Sequence, residues 1–200
     1  MSAMTKNKPW YIIQNRYSAG GLWSLFLVCA FPLHAWAIIL SLRDFNWVAE
    51  RTNTWDAVGV ISYALVFAFV ESIIIFLLFT LAGWLISTKW NEPHRITLLG
   101  FLILVLASWS IFNQSHFIWG ASLPGIVRQL ALASEHPVRI IYLYLLVLVG
   151  LTVLVPTILI LRNHSVFRLF QSLFERVAVL TSFYLVFDLI GLLIVVSRNV

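Results

Sequence analysis

Five stretches of this chain are each long and apolar enough, read as helices, to reach across a lipid bilayer. They cover residues 21–42, 57–87, 96–120, 139–161 and 177–196. A hydrocarbon core about 30 Å thick takes roughly 20 residues of helix. No water satisfies the backbone inside such a core, so only helices and closed barrels span it. Barrel strands run to about ten residues and alternate in polarity. These stretches do neither. The pattern predicts an all-α polytopic bundle of five transmembrane helices, with residues 1–200 forming a single integral membrane domain.

Charge content points the same way. Only 10% of the 200 residues are charged and 61% are hydrophobic, against about 25% charged in a soluble domain. The mean hydropathy is +0.94. The net charge of +5 does not indicate nucleic acid, because the basic residues are scattered between the apolar stretches rather than massed. Their distribution predicts an orientation. Eight lysines and arginines fall on the side of the N-terminus and five on the other, which places the N-terminus inside and the C-terminus outside. Tryptophans 10, 23, 84 and 90 then mark one headgroup level, and 47, 55 and 119 the other. Short loops suggest a prokaryotic cytoplasmic membrane. No cleavable signal peptide is recognised at the start, so the first span serves as the targeting signal. The single cysteine, Cys29, permits no intrachain disulfide.

Two further segments are amphipathic. In "HSVFRLFQSLFER", Phe167, Phe170, Leu173 and Phe174 share a face, opposite Arg168, Gln171, Ser172 and Glu175. This reads as a short interfacial helix before the fifth span, with Ser165 as its N-cap. "LPGIVRQLALAS", 123–134, is a weaker second one. The second apolar stretch is too long to stand upright, at about 46 Å, and is expected to tilt or project.

Polar groups inside the spans are the candidate functional residues. Glu71 sits near the middle of the second span, Asp188 near the middle of the fifth, and His34 just past the middle of the first. Counted from the inner ends, they lie roughly 24, 17 and 20 Å deep, so one layer can hold all three. Tyr63 shares a helix face with Glu71, and Tyr184 with Asp188. Such a cluster fixes helix packing, carries protons or cations, or docks a partner's charge. Asn113 and His116 form a second polar pair on one face of the third span. The spacing Phe112-x-x-x-His116 also occurs in membrane-embedded CAAX-type proteases. Those need a paired-glutamate motif as well, and Glu71 is followed by Ser72. His34 and His116 differ by about 10 Å in depth, which argues against a haem between them. All three lysines lie outside the spans, which excludes a retinal Schiff base. No metal-binding, nucleophile-elbow or phosphate-loop motif is present.

The expectation is therefore a non-enzymatic membrane component acting through helix–helix association, with no cofactor and no metal. Its partners are the lipid bilayer and another membrane protein or a second copy of itself. The alternatives are a proton or cation pathway built on His34, Glu71 and Asp188, and a lipid-modifying enzyme using His34, Glu71 and His116.

Overall fold

The computed structural model describes residues 17–86, 90–120 and 123–200, without the side chains of residues 116, 117 and 119. Lys6, Lys8, Trp10, Arg16 and Lys89 lie outside the described residues, as do the side chains of His116 and Trp119. Helix accounts for 89% of what is described, with no strand. Five helices are long and apolar enough to cross a membrane: α1 (Ala19–Arg51), α2 (Thr54–Ala82), α3 (Glu92–Trp119), α5 (Pro137–Arg162) and α6 (His164–Asn199). A short helix, α4 (Gly125–Leu132), links α3 to α5.

Local chemistry sets the helix limits. Ser18 caps α1, its hydroxyl accepting from the Gly21 N–H at 3.0 Å. That hydroxyl and the Ser18 N–H both donate to Glu92, at 2.7 and 2.6 Å, which ties the start of α1 to the start of α3. Asn53 caps α2 by accepting from the Asp56 N–H at 2.9 Å. Only Thr52 and Asn53 separate α1 from α2, so the two helices turn back on each other. Asn163 alone separates α5 from α6 and accepts from the N–H groups of Ser165 and Val166, at 2.9 and 3.4 Å. The cap of α6 is thus Asn163 and not Ser165.

Two other expectations change. The amphipathic segment before the fifth span is no separate interfacial helix. It forms the first turns of α6, a single helix of 36 residues. Its aromatic face packs inward: Phe167 and Phe174 are buried with Phe101 of α3 and Ile160 of α5. The second stretch does not stay helical to residue 87. α2 ends at Ala82 and the chain turns at Gly83, so only part of the excess is loop: the 29-residue helix still measures about 43 Å, longer than the hydrocarbon core. The segment at 123–134 does form a helix, α4, with Val127 and Ala131 buried and Ile126, Leu130 and Leu132 exposed.

α1 is the central helix. It packs against α2, α3 and α6, while α5 lies outside against α3, α4 and α6. In the most apolar part of α1, 44% of residues are buried inside the protein, against 6% for α5. The exterior is apolar, with Leu146, Leu151, Leu154 and Phe183 all exposed, and hydrocarbon is the solvent that suits it. Since lipid is as apolar as leucine, close packing must hold the helices together. The buried face of α2 is accordingly small apart from Leu65: Ala57, Gly59, Ser62, Ala68 and Ser72. Gly191 of α6 meets it so closely that a Cβ there would stand 3.3 Å from the Ser62 carbonyl oxygen.

Candidate functional site

The fold brings His34 and Asp188 together. His34 is fully buried in α1 and Asp188 is 7% exposed in α6. The His34 Nε2 atom lies 2.8 and 3.0 Å from the two carboxylate oxygens of Asp188. Its Nδ1 atom lies 2.7 Å from the Ala30 carbonyl oxygen, one turn back on α1. A carbonyl only accepts, so Nδ1 carries a hydrogen. One further proton then lies between Nε2 and the carboxylate. It belongs to an imidazolium facing a carboxylate, or to a carboxylic acid facing a neutral imidazole. Either way the pair has no net charge, which is the condition for keeping both groups inside a membrane.

Aromatic rings close over the pair. Tyr184, one turn before Asp188, stacks on the His34 ring at 6.0 Å and on Phe31 at 6.3 Å. Thr181, also fully buried, turns its hydroxyl back to the Val177 carbonyl at 2.8 Å. Both ring nitrogens of His34 find their partners within this cluster.

Glu71 is not part of it. Counted from the α1–α2 turn, Glu71 and His34 are equally deep, at about 26 Å. They sit on different sides of α1. Glu71 is on the exposed side of α2 and lines a cleft of about 430 Å³ between α1, α2 and α3. Pro32 and Trp36 of α1 and Gln114 of α3 share that cleft. The Trp36 indole N–H donates to the Gln114 amide oxygen across it. Glu71 makes no hydrogen bond or ion pair among the described residues.

The other candidates are dispersed. Tyr63 lies on the same exposed side of α2, about 12 Å nearer the α1–α2 turn. Its hydroxyl accepts from the Asn199 side chain at 2.6 Å. Asn113 opens into a different crevice, between α3 and α5, where the Trp109 indole donates to the Thr152 hydroxyl at 2.9 Å. His116 lies near the end of α3, its side chain outside the described residues. Among the described residues, no three histidines, cysteines or carboxylates are grouped to hold a metal.

Of the polar contacts that escape sequence reasoning, two bear on the candidate residues and on how α6 is held. One is the Trp36–Gln114 bond, for which a glutamine in the apolar part of α3 is the only hint. The other is a clamp at the end of α6. Arg198 donates to Asp56 and to the Trp55 carbonyl, both at 2.6 Å, and so pins α6 to the start of α2.

No family model, no curated protein and no solved structure compared with the chain gives a match.

Proposed function

We propose that this chain is a non-catalytic component of a membrane assembly, joined to its partner by helix–helix contacts within the bilayer. One observation carries the reading: Glu71 is exposed at mid-helix with no hydrogen-bond or ion-pair partner among the described residues. An acidic side chain facing hydrocarbon near the bilayer centre costs about 3 kcal/mol or more. A second protein that supplies a hydrogen-bond donor removes that cost. The buried His34–Asp188 pair supports the same reading. Its hydrogen bonds close on themselves and on Ala30, as befits a bond that holds α1 to α6.

The experiment is purification in mild detergent, with mass analysis of what accompanies the protein, for the wild type and Glu71→Gln. A defined complex that the variant loses is the expected result. A protein that purifies alone in both forms defeats the reading.

A further inference from the structure

We infer that the open side of α1, between α2 and α3, receives one transmembrane helix of a different protein, bearing a basic side chain at the depth of Glu71. The slot inference rests on the assembly role proposed above and names the place and chemistry of the contact.

The architecture leaves the place vacant. α1 is packed by α2, α3 and α6, while α2 and α3 have little contact with each other. The cleft between them is therefore a gap in the ring of helices around α1. Small residues that keep some exposure line every wall: Ala37 on α1, Ala64 on α2, and Ala107 and Ser110 one turn apart on α3. Such small side chains let another helix backbone come close. At about 430 Å³ the cleft takes several side chains of an incoming helix.

Charge selects the occupant. An unpartnered carboxylic acid asks for a donor, and a basic residue is the strongest. A second copy of this chain has none to give, because no lysine or arginine falls in the interior of its apolar stretches. An acyl chain offers no donor at all. A lipid headgroup would have to descend about 15 Å, half the hydrocarbon thickness, to reach mid-membrane. A foreign helix with an arginine or lysine meets both requirements. The Trp36–Gln114 pair beside Glu71 supplies an aromatic edge and an amide for the rest of such a side chain.

The test places a photoreactive benzophenone amino acid at Phe67, which is 65% exposed and lines the slot, and separately at Leu151 on α5 as a reference face. The full-length protein is irradiated in its native membrane and the adducts are identified by mass spectrometry. The expected result at Phe67 is one adduct with a different membrane protein, whose cross-linked helix carries an arginine or lysine within a turn of the linked residue. Glu71→Gln lowers its yield about tenfold or more, a loss of about 1.4 kcal/mol. Ser110→Phe, made at an exposed position, fills the slot and gives the same loss without relying on the acid. Glu71→Lys combined with an acid at the partner's basic position restores the adduct. Adducts with lipid alone, with a second copy alone, or with a helix lacking a basic residue overturn the inference, as does a yield indifferent to Glu71→Gln. A partner caught at Leu151 but not at Phe67 overturns the slot and leaves the assembly role standing. No protein adduct at either position overturns both.

Discussion

The Nε2 atom of His34 and a carboxylate oxygen of Asp188 stand 2.8 Å apart, although they lie 154 positions apart in the chain. They join the first long helix to the last. The contact does more than add a hydrogen bond: it cancels the charge of a carboxylate that lies only 7% exposed.

Substitutions at the pair should therefore rank by what they leave behind. With Asp188→Asn, the new amide N–H donates to a neutral His34 Nε2, and Nδ1 keeps its bond to Ala30. The expected loss of stability is within about 1 kcal/mol. With Asp188→Leu, Nε2 is stranded, at a cost of about 1–3 kcal/mol. With His34→Leu, the carboxylate is stranded, at about 3–5 kcal/mol, and the double replacement by leucine recovers most of that. Unfolding midpoints in detergent measure the series. Equal losses for Asn and Leu at 188 would show that the hydrogen bond is not what holds the helices.

Glu71→Leu should act in the opposite sense on the isolated chain. The acid has no hydrogen-bond or ion-pair partner among the described residues, so its removal breaks no such contact there. The unfolding midpoint of the purified chain should stay level or rise, while any co-purifying complex is lost. A clear fall in the midpoint would mean that Glu71 supports the bundle itself.

Gly191→Val tests the close approach of α6 to α2. Even a single Cβ would stand 3.3 Å from the Ser62 carbonyl oxygen, a backbone atom that cannot swing aside. Branching at that Cβ forces the helices apart, and about 1–3 kcal/mol of stability should go with it. Cysteine cross-linking between the two helices would report the separation. An unaltered cross-linking rate would refute tight packing at this point.

Arg198→Gln should release the end of α6 and little else. The guanidinium holds Asp56 and the Trp55 carbonyl, each at 2.6 Å. Amide exchange in the last turn of α6 should quicken about tenfold, with the middle of the helix unchanged. Exchange that quickens along the whole helix would give the clamp a larger role.

Much of the architecture is legible in the sequence because lipid imposes a length. Each helix must cross the same thickness, so the five apolar stretches locate the five long helices. The limits of the first and fifth are less legible. α1 continues past Leu42 through Arg43 and Asp44, and α6 begins well before Val177. No proline or glycine stands between His164 and Leu189, so nothing stops the helix where the hydrophobicity changes. The polar face of Arg168, Gln171 and Glu175 suggests a surface-lying segment. Phe167 and Phe174 instead find protein to pack against.

The site divides in the same way. A fixed helical rise brings His34 and Asp188 to one level, and their contact follows from depth. Depth does not say which way a side chain points. α2 is apolar all round, so polarity cannot mark the face that turns inward. The mark is size: Gly59, Ser62, Ala68 and Ser72 are buried, while Tyr63, Phe67 and Glu71 face outward. Reading α2 for small residues rather than polar ones puts Glu71 on the outside.

The span of the His34–Asp188 contact also orders events during synthesis. At roughly 5–20 residues per second, the 154 positions from one to the other take on the order of 8–30 s to translate. Throughout that interval α1 holds a histidine whose partner does not yet exist. A neutral imidazole with Nδ1 already bonded to Ala30 can wait. A lone carboxylate in hydrocarbon is much the worse group to leave waiting, and Asp188 is the one made last, with its acceptor already in place.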